Sequence, residues 1–354
     1  VEAPAVVNNQ TMADNSLPLL IGQSISSSWF SGTIDEVALY NVALTSSQIS
    51  NHYEAGSATA PDPVIAAAGD IACGTGDAGE AQPGVACEQQ STSNLLSGGG
   101  LTAVLALGDD QYEQGTLSDF MNYFDPTWGR FKSIMRSVPG NHEYTDPAGG
   151  AAGYFDYFDG VGNETGPEGS RALGYYSFDI GAWHFIAVNS NCSTSTGGWK
   201  PGGCAAGSTQ EEWVRSDLAA HKSSCTLAFW HHPVYSSSSQ PDGASPFMSA
   251  IWADLANAHA DIVLNGHAHD YERFALQNAT GGLDATAGLR EFVVGTGGRN
   301  LYPFATVKPN SEARNSTTFG VLRLTLHPHA YDWKFQATPG GTFTDAGSQQ
   351  CHGR

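Results

Sequence analysis

Five short polar clusters hold most of the side chains in this sequence that could do chemistry. They are Gly69-Asp70, Gly108-Asp109-Asp110-Gln111-Tyr112, Gly140-Asn141-His142-Glu143, His231-His232-Pro233 and Gly266-His267-Ala268-His269-Asp270. Carboxylate, phenol, carboxamide and imidazole are all donors to metal ions. One such cluster carries little weight, because Gly-Asp is common and a single histidine more often serves packing than ligation. Five in succession, each directly after an apolar run, point to a shared metal site.

Those apolar runs are the elements that must position the donors. Val64–Ala68, Thr102–Leu107, Met135–Val138, Thr226–Trp230 and Ile262–Leu264 are each short, continuous and apolar. That pattern predicts buried strands. Helices are expected between several of them. Ser208 to Lys222 starts with the capping box Ser208-x-x-Glu211 and turns Trp213, Leu218 and Ala219 inward, and Pro246 to Ala258 is a second helix. Alternation of strand and helix predicts an α/β domain, which places its site where strands end. Phe319–His327 and Ala330–Phe335 alternate in polarity and are expected as strands with one exposed face.

At 354 residues the chain has room for about two domains of ~150 residues each. Only 14% of residues are charged, against a usual ~25%, while 10% are aromatic, so long ordered loops are expected rather than disorder. A net charge of −20 argues against a protein that coats nucleic acid or lies on a membrane. No apolar run approaches the ~18 residues of a membrane span. The opening Val1-Glu2-Ala3-Pro4 is no signal peptide, so an export signal is expected upstream or already removed.

Six cysteines lack the Cys-x-x-Cys spacing of a zinc ribbon. Cys73 is close to Cys87 and Cys192 to Cys204, leaving Cys225 for Cys351. Those three bridges are expected out of fifteen possible pairings. With few lysines and an acidic balance, they predict a secreted or extracytoplasmic protein.

Residues 1–58 read differently from the rest. Trp29 to Tyr40 is a turn and a β-type run, and Thr45-Ser46-Ser47-Gln48 caps a short helix over Gln48–Glu54. This stretch resembles the end of a laminin-G-like, concanavalin-type jelly roll. A small all-β remnant is therefore expected over 1–58, with a Pro-rich linker at 59–63 and the main domain at 64–354. The alternative is a private N-terminal extension. The missing part of such a jelly roll implies glycan contact, and a different kind of protein, an exported glycan binder in which the chemistry of the main domain is secondary.

From 64 to 335 the five clusters, in their order, resemble the dinuclear metallophosphoesterases, most closely the purple acid phosphatase branch. The fourth motif stands here as Ala228-Phe229-Trp230-His231, with Ala228 at a position that is Val in that branch. The resemblance implies a four-layer α/β/β/α sandwich and two metal ions. One ion would be held by Asp70, Asp109, Tyr112 and His269, and the other by Asp109, Asn141, His231 and His267, with Asp109 bridging. Two cations ~3.5–4 Å apart suit in-line phosphoryl displacement. Asp70, Asp109 and a Tyr112 phenolate contribute −3, so two divalent ions leave about +1, and a trivalent with a divalent ion about +2. A Tyr112 phenolate implies Fe(III) with Zn, Fe(II) or Mn; the alternative is two Zn ions with Tyr112 merely packed nearby.

The same resemblance makes Asn141, His142 and His232 contacts to substrate. His142 is the implied general acid for attack by metal-bound hydroxide, and His232 either assists or packs against Pro233. Glu143 and Asp270 are expected to orient ligand or catalytic imidazoles, and Asp110 to be a solvated loop carboxylate. Substrate choice is expected in the inserts Tyr144–Leu173, Ser190–Ala206 and Gly295–Pro303. Lys200 and Arg299 there would contact a second phosphate or be ordinary surface charges. The implied substrate is a small-molecule phosphomonoester, with diesters of nucleotides or lipid headgroups as the alternative.

Overall fold

The structure is a computed structural model that describes residues 40, 42–46, 48–49, 61–74, 87–192, 202–240 and 243–353. The chain divides into two compact units, Val1–Ala60 and Pro61–Arg354. In the first unit the expected capping pair is present. The Thr45 amide donates to Gln48 Oε1 (2.8 Å), and the Gln48 amide donates to Thr45 Oγ1 (3.3 Å). Apart from this pair and a few neighbours, the jelly-roll reading of residues 1–58 lies outside the described residues.

The second unit runs β1 (Val64–Ala68), α1 (Gln89–Leu96), β2 (Leu101–Ala106), β3 (Met135–Ser137), α2 (Ala152–Phe158), and a small hairpin of β4 (Thr165–Gly166) and β5 (Gly169–Ser170). It continues through β6 (Tyr176–Ile180), β7 (Trp183–Ala187), α3 (Thr209–Ala220), β8 (Cys225–Phe229), α4 (Ser249–Asn257) and β9 (Ile262–Asn265). The last part is all strand: β10 (Tyr271–Phe274), β11 (Arg290–Val294), β12 (Ser311–Asn315), β13 (Gly320–His327), β14 (Ala330–Ala337) and β15 (Ala346–Gln350).

These strands form a six-stranded sheet, β15-β14-β13-β1-β2-β3, and a seven-stranded sheet, β12-β10-β11-β9-β8-β7-β6. Within the first, β1, β2 and β3 are parallel. Within the second, β7, β8, β9 and β11 are parallel. Parallel pairing brings the C-terminal ends of each set to one edge, where the five polar clusters begin.

Period-two alternation explains the layers. On β8, Leu227 and Phe229 enter the main core, to which β1 and β2 also contribute, while Ala228 turns to the opposite face. On β7, Phe185 and Ala187 face that shared core and Ile186 faces away. The outer face is covered by α3 and α4 through Val214, Leu218, Ile251, Trp252 and Leu255. On the other side of the six-stranded sheet, α1 and α2 join Phe120, Phe124 and Trp128 in the main core. The result is the α/β/β/α order expected for this fold class. Each fully buried Leu or Phe on these faces contributes ~1.5–3 kcal/mol.

Helix α3 departs from the sequence reading in two details. Ser208 Oγ accepts from the Glu211 amide (3.4 Å), but the Glu211 carboxylate turns back to the Gly207 amide (2.9 Å) instead of that of Ser208. Its buried positions are Gln210, Glu211, Val214, Asp217 and Leu218, with Trp213 half-buried and Ala219 exposed. Ala219 lies one position past the stripe that 3.6-residue periodicity defines. All three expected disulfides are present: Cys73–Cys87, Cys192–Cys204 and Cys225–Cys351.

One buried ionic clamp ties the β6–β7 hairpin to α3. His184 Nδ1 is 2.7 Å from Asp179 Oδ1, and its Nε2 is 2.7 Å from Asp217 Oδ2. Burial lowers the imidazole pKa, but the two carboxylates outweigh it and hold His184 above its usual value. Stability from this clamp is therefore complete below the unfolded-state pKa of ~6.5 and is lost as pH rises through the higher folded value. His184→Gln is expected to lower Tm most at ~pH 5 and progressively less above neutrality. A Tm deficit that stayed constant across that range would contradict the clamp.

Candidate metal centre

The donors sit on the turns that immediately follow β1, β2, β3, β8 and β9, so two sheets contribute to one cluster. Asp70, Asp109, Tyr112, His231, His267 and His269 are all buried, and Asn141 is half-buried. The Tyr112 hydroxyl lies 2.9 Å from Asp70 Oδ1, 3.1 Å from Asp109 Oδ2 and 2.9 Å from His269 Nε2. His231 Nε2 lies 3.2 Å from Asp109 Oδ2 and 3.2 Å from Asn141 Oδ1. Asp109 Oδ2 thus stands between a group of Asp70, Tyr112 and His269 and a group of Asn141 and His231. The His267 ring is 5.0 Å from that of His231, on the second group's side.

The outer nitrogens fix which atom faces inward. His231 Nδ1 is 2.9 Å from the Leu107 carbonyl, and His269 Nδ1 is 2.7 Å from the Asn300 carbonyl. A carbonyl only accepts, so each Nδ1 carries a proton and each Nε2 is the nitrogen that faces the cluster and would ligate a cation there. Two carboxylates, a phenol and imidazole lone pairs directed at one space form a donor set that fits a pair of cations.

Electrostatics agree. Burial works against ionised Asp109, yet His231 and His142 hold its pKa well below the usual range. Burial also opposes charge on His231, but Asp109 prevails and pushes it up to about 9, so a proton there plays the part a cation would. His267 is lowered to about 4 by burial and by His231. The Tyr112 phenol is pushed well up by burial, Asp109 and Asp70. Only a strong local positive charge would make it a phenolate.

The backbone is strained where it delivers ligands. Asp70 (φ 60°), Asp109 (φ 49°) and His267 (φ 68°) all occupy the left-handed region without being glycine. Such conformations cost ~1–3 kcal/mol each and persist only where surroundings impose them. Here the Asp70 amide donates to the Gly108 carbonyl (3.0 Å), and the His267 amide to Asp70 Oδ2 (2.8 Å). Glu143 holds the turns from beneath by accepting from the amides of Asp109 (3.0 Å), Gln111 (3.1 Å) and Gly140 (2.7 Å). Burial and Asp109 push the Glu143 carboxyl up to about 7.

Several neighbours differ from the sequence expectation. Glu143 orients backbone amides rather than imidazoles, and the ligand imidazoles are oriented by the carbonyls of Leu107 and Asn300. Asp270 is buried, with its pKa raised well above normal by burial and Glu272. Asp110 is buried too; Ser137 Oγ donates to it at 2.5 Å, and burial with Glu143 pushes its pKa well up. Arg299 is neither a surface charge nor free for a phosphate. It is buried, pairs with Glu113 and lies 4.8 Å over the Tyr112 ring. Lys200 lies outside the described residues. The aromatics of the 144–173 insert, Tyr154, Phe155, Tyr157 and Phe158, pack into the core rather than over the site.

The two remaining histidines are placed differently. His142 is partly exposed, has its ring centroid 4.3 Å from that of Tyr112 with the planes tilted by 51°, and sets Nδ1 2.6 Å from the Glu113 carbonyl, leaving Nε2 4.0 Å from Asp109 Oδ2. Burial depresses its pKa, but Asp109 and Glu113 raise it above the usual value. His232 is buried beside His267 (ring centroids 4.4 Å) with Nδ1 2.8 Å from Ser190 Oγ; burial and His267 push its pKa well down. Ser190, Glu113, Asn300 and Tyr302, whose ring is 5.0 Å from His269, gave no motif signal in the sequence because they act as isolated partners of motif residues.

The calcineurin-like phosphoesterase family profile matches residues 63–271. Purple acid phosphatase 15 of Arabidopsis thaliana is 32% identical over 158 residues, which cover 41% of this chain and 27% of that protein. Probable inactive purple acid phosphatase 9 of the same plant is 28% identical over 256 residues, covering 60% and 38%. This chain therefore spans well under half the length of these curated relatives. The solved structure of purple acid phosphatase PPD1 from yellow lupin (Lupinus luteus) seeds superposes with a TM-score of 0.60 at 20% identity, covering 82% of this chain and 54% of that one. At that identity the likeness is one of fold.

Gly140 gives a direct test of the centre's packing. A Cβ there would fall 2.1 Å from Asp109 Oδ1 and 2.2 Å from the Asp109 amide. Gly140→Ala is expected to weaken metal affinity by on the order of tenfold or more while the far-UV circular dichroism stays native. Metal analysis after dialysis at graded free ion would show it, and unchanged occupancy would contradict the packing.

Proposed function

The chain belongs to the calcineurin-like phosphoesterase family, and on that premise we propose that it is an exported, metal-dependent phosphomonoesterase. The observation that carries the proposal is the convergence of Asp70, Asp109, Tyr112, Asn141, His231, His267 and His269, with Asp109 Oδ2 between the two halves. Two cations held there would supply Lewis-acid stabilisation of phosphate oxygens and a water of lowered pKa. Tyr112 supports Fe(III) on its side, and the nitrogen-rich set of His231, His267 and Asn141 supports a divalent partner such as Zn, Fe(II) or Mn.

The protein's own groups divide the remaining work. His142 donates Nδ1–H to the Glu113 carbonyl, so Nε2 faces the centre and carries the proton that the leaving oxygen needs. His232 is held neutral and anchored by Ser190, which suits a hydrogen-bonding contact to phosphate better than proton delivery. Asn141, a neutral ligand, leaves the centre with surplus positive charge to attract a phosphate dianion, and the net −20 of the chain is screened beyond ~8–10 Å. The phosphatase names of the relatives support monoesters. Three disulfides support an oxidising compartment, and none of the described helices is long and apolar enough to cross a membrane.

Asn141→Ala is expected to abolish hydrolysis of nitrophenyl phosphate by metal-replete protein, with kcat/KM for the monoester exceeding that for bis-nitrophenyl phosphate in the wild type. A diester preference would reassign the substrate class, and equal rates in wild type and variant would remove the catalytic proposal. His142→Ala is expected to lower kcat by ~10²–10⁴-fold for an alkyl phosphate, and by less for nitrophenyl phosphate, whose leaving group needs little protonation. Equal losses on both substrates would assign His142 to binding instead.

A further inference from the structure

Strand β8 begins at Cys225 and ends toward His231, so its first residue lies at the opposite end of the strand from the metal centre. A second group of donors gathers there. The sulfurs of Cys225 and Cys351 and a carboxylate oxygen of Asp261 lie within 4.8 Å of one another. His352, next in sequence to Cys351, places Nδ1 3.0 Å from Asp261 Oδ1. Asp261 is buried and fixed by the backbone, accepting from the amides of Thr226 (2.8 Å) and His352 (2.8 Å). The imidazole of His352 is largely buried, with Nδ1 paired to Asp261 and Nε2 making no hydrogen bond. A cavity of about 390 Å³ lined by His259, Thr286, Gln350, Cys351, His352 and Gly353 opens beside the cluster.

In the oxidised protein the two sulfurs are joined, and Cys225–Cys351 closes a separation of 126 residues. We propose that when this bridge is reduced, Cys225, Cys351, Asp261 and His352 together bind one zinc-class divalent cation, which then holds the C-terminal tail to β8. An external dithiol delivers two electrons and two protons and becomes a disulfide itself, and the S–S bond opens to two thiols. Cation binding then displaces both thiol protons to solvent. Zn–S bonds of ~2.3 Å and Zn–O bonds of ~2.0 Å place tetrahedral neighbours roughly 3.3–3.8 Å apart, inside the 4.8 Å spread of Cys225, Cys351 and Asp261, and His352 stands beside Asp261 as the fourth donor. Thiolate ligands separate this site chemically from the oxygen and nitrogen set of the dinuclear centre. The adjoining cavity gives both the reductant and the ion a way in.

The test is a titration of Co(II) into the full chain, oxidised and then reduced with a phosphine, following thiolate-to-cobalt charge-transfer absorption. Cobalt at the dinuclear centre has no sulfur ligand and gives no such band. One thiolate-bound cobalt per chain is expected after reduction and none before. The band should vanish in Cys225→Ser and persist in Cys73→Ser and Cys192→Ser. His352→Ala keeps all six cysteines and can fold through the oxidised state, so it separates ligation from misfolding; its cobalt affinity should fall by on the order of tenfold. No band in the reduced wild type, a band that survives Cys225→Ser, or an unchanged affinity in His352→Ala would each overturn the proposal.

Discussion

Asp70 and Asp109 are two buried carboxylates that share the Tyr112 hydroxyl at 2.9 and 3.1 Å. Burying ionised carboxylates costs several kcal/mol each unless positive charge is brought to them. Around this pair the rest of the site is arranged. That negative charge drives His231 toward protonation and, with burial, keeps the Tyr112 phenol neutral, while burial and the charge on His231 drive His267 away from protonation. Cations held there would neutralise Asp70 and Asp109, release His231 to act as a neutral ligand and make a Tyr112 phenolate favourable.

Holding such a pair requires scaffold energy, and the fold supplies it from two sheets. Parallel strands end at a common edge, and the turns beyond them adopt left-handed conformations at Asp70, Asp109 and His267. Glu143 fastens three turn amides at once, and Gly140 leaves the space that Asp109 Oδ1 occupies. The hydrophobic core shared between the sheets anchors both strand sets, so the ligand turns are set by packing several residues away from them. Rigidity at the site is thus inherited from alternation along β7, β8 and β9.

Much of this was legible in the sequence because the buried strands are continuous apolar runs and each ends in a donor. The five motif strands are observed within a residue of their expected limits. The resemblance to purple acid phosphatases pointed to seven candidate ligands, and the structure brings those seven side chains to one place. Other features depend on tertiary contacts that spacing does not encode. Asp110 reads as a loop carboxylate but is buried against Ser137. Arg299 reads as a surface cation but is committed to Glu113 and Tyr112. Glu143 follows His142 in the motif, yet its partners are amides from two different turns. The hairpin β6–β7 and its His184 clamp carry no motif and were not anticipated. Substrate choice is the least legible part, since the aromatic insert after Tyr144 serves the core.

The most direct test of a shared dinuclear centre is the number of metal ions bound per chain, measured by elemental analysis and calorimetry for wild type, Asp109→Asn and Asn141→Ala. The bridging position of Asp109 predicts two ions in the wild type, loss of tight binding at both sites in Asp109→Asn, and loss at one site in Asn141→Ala. A single ion in the wild type, or two tightly bound ions in Asp109→Asn, would contradict the account.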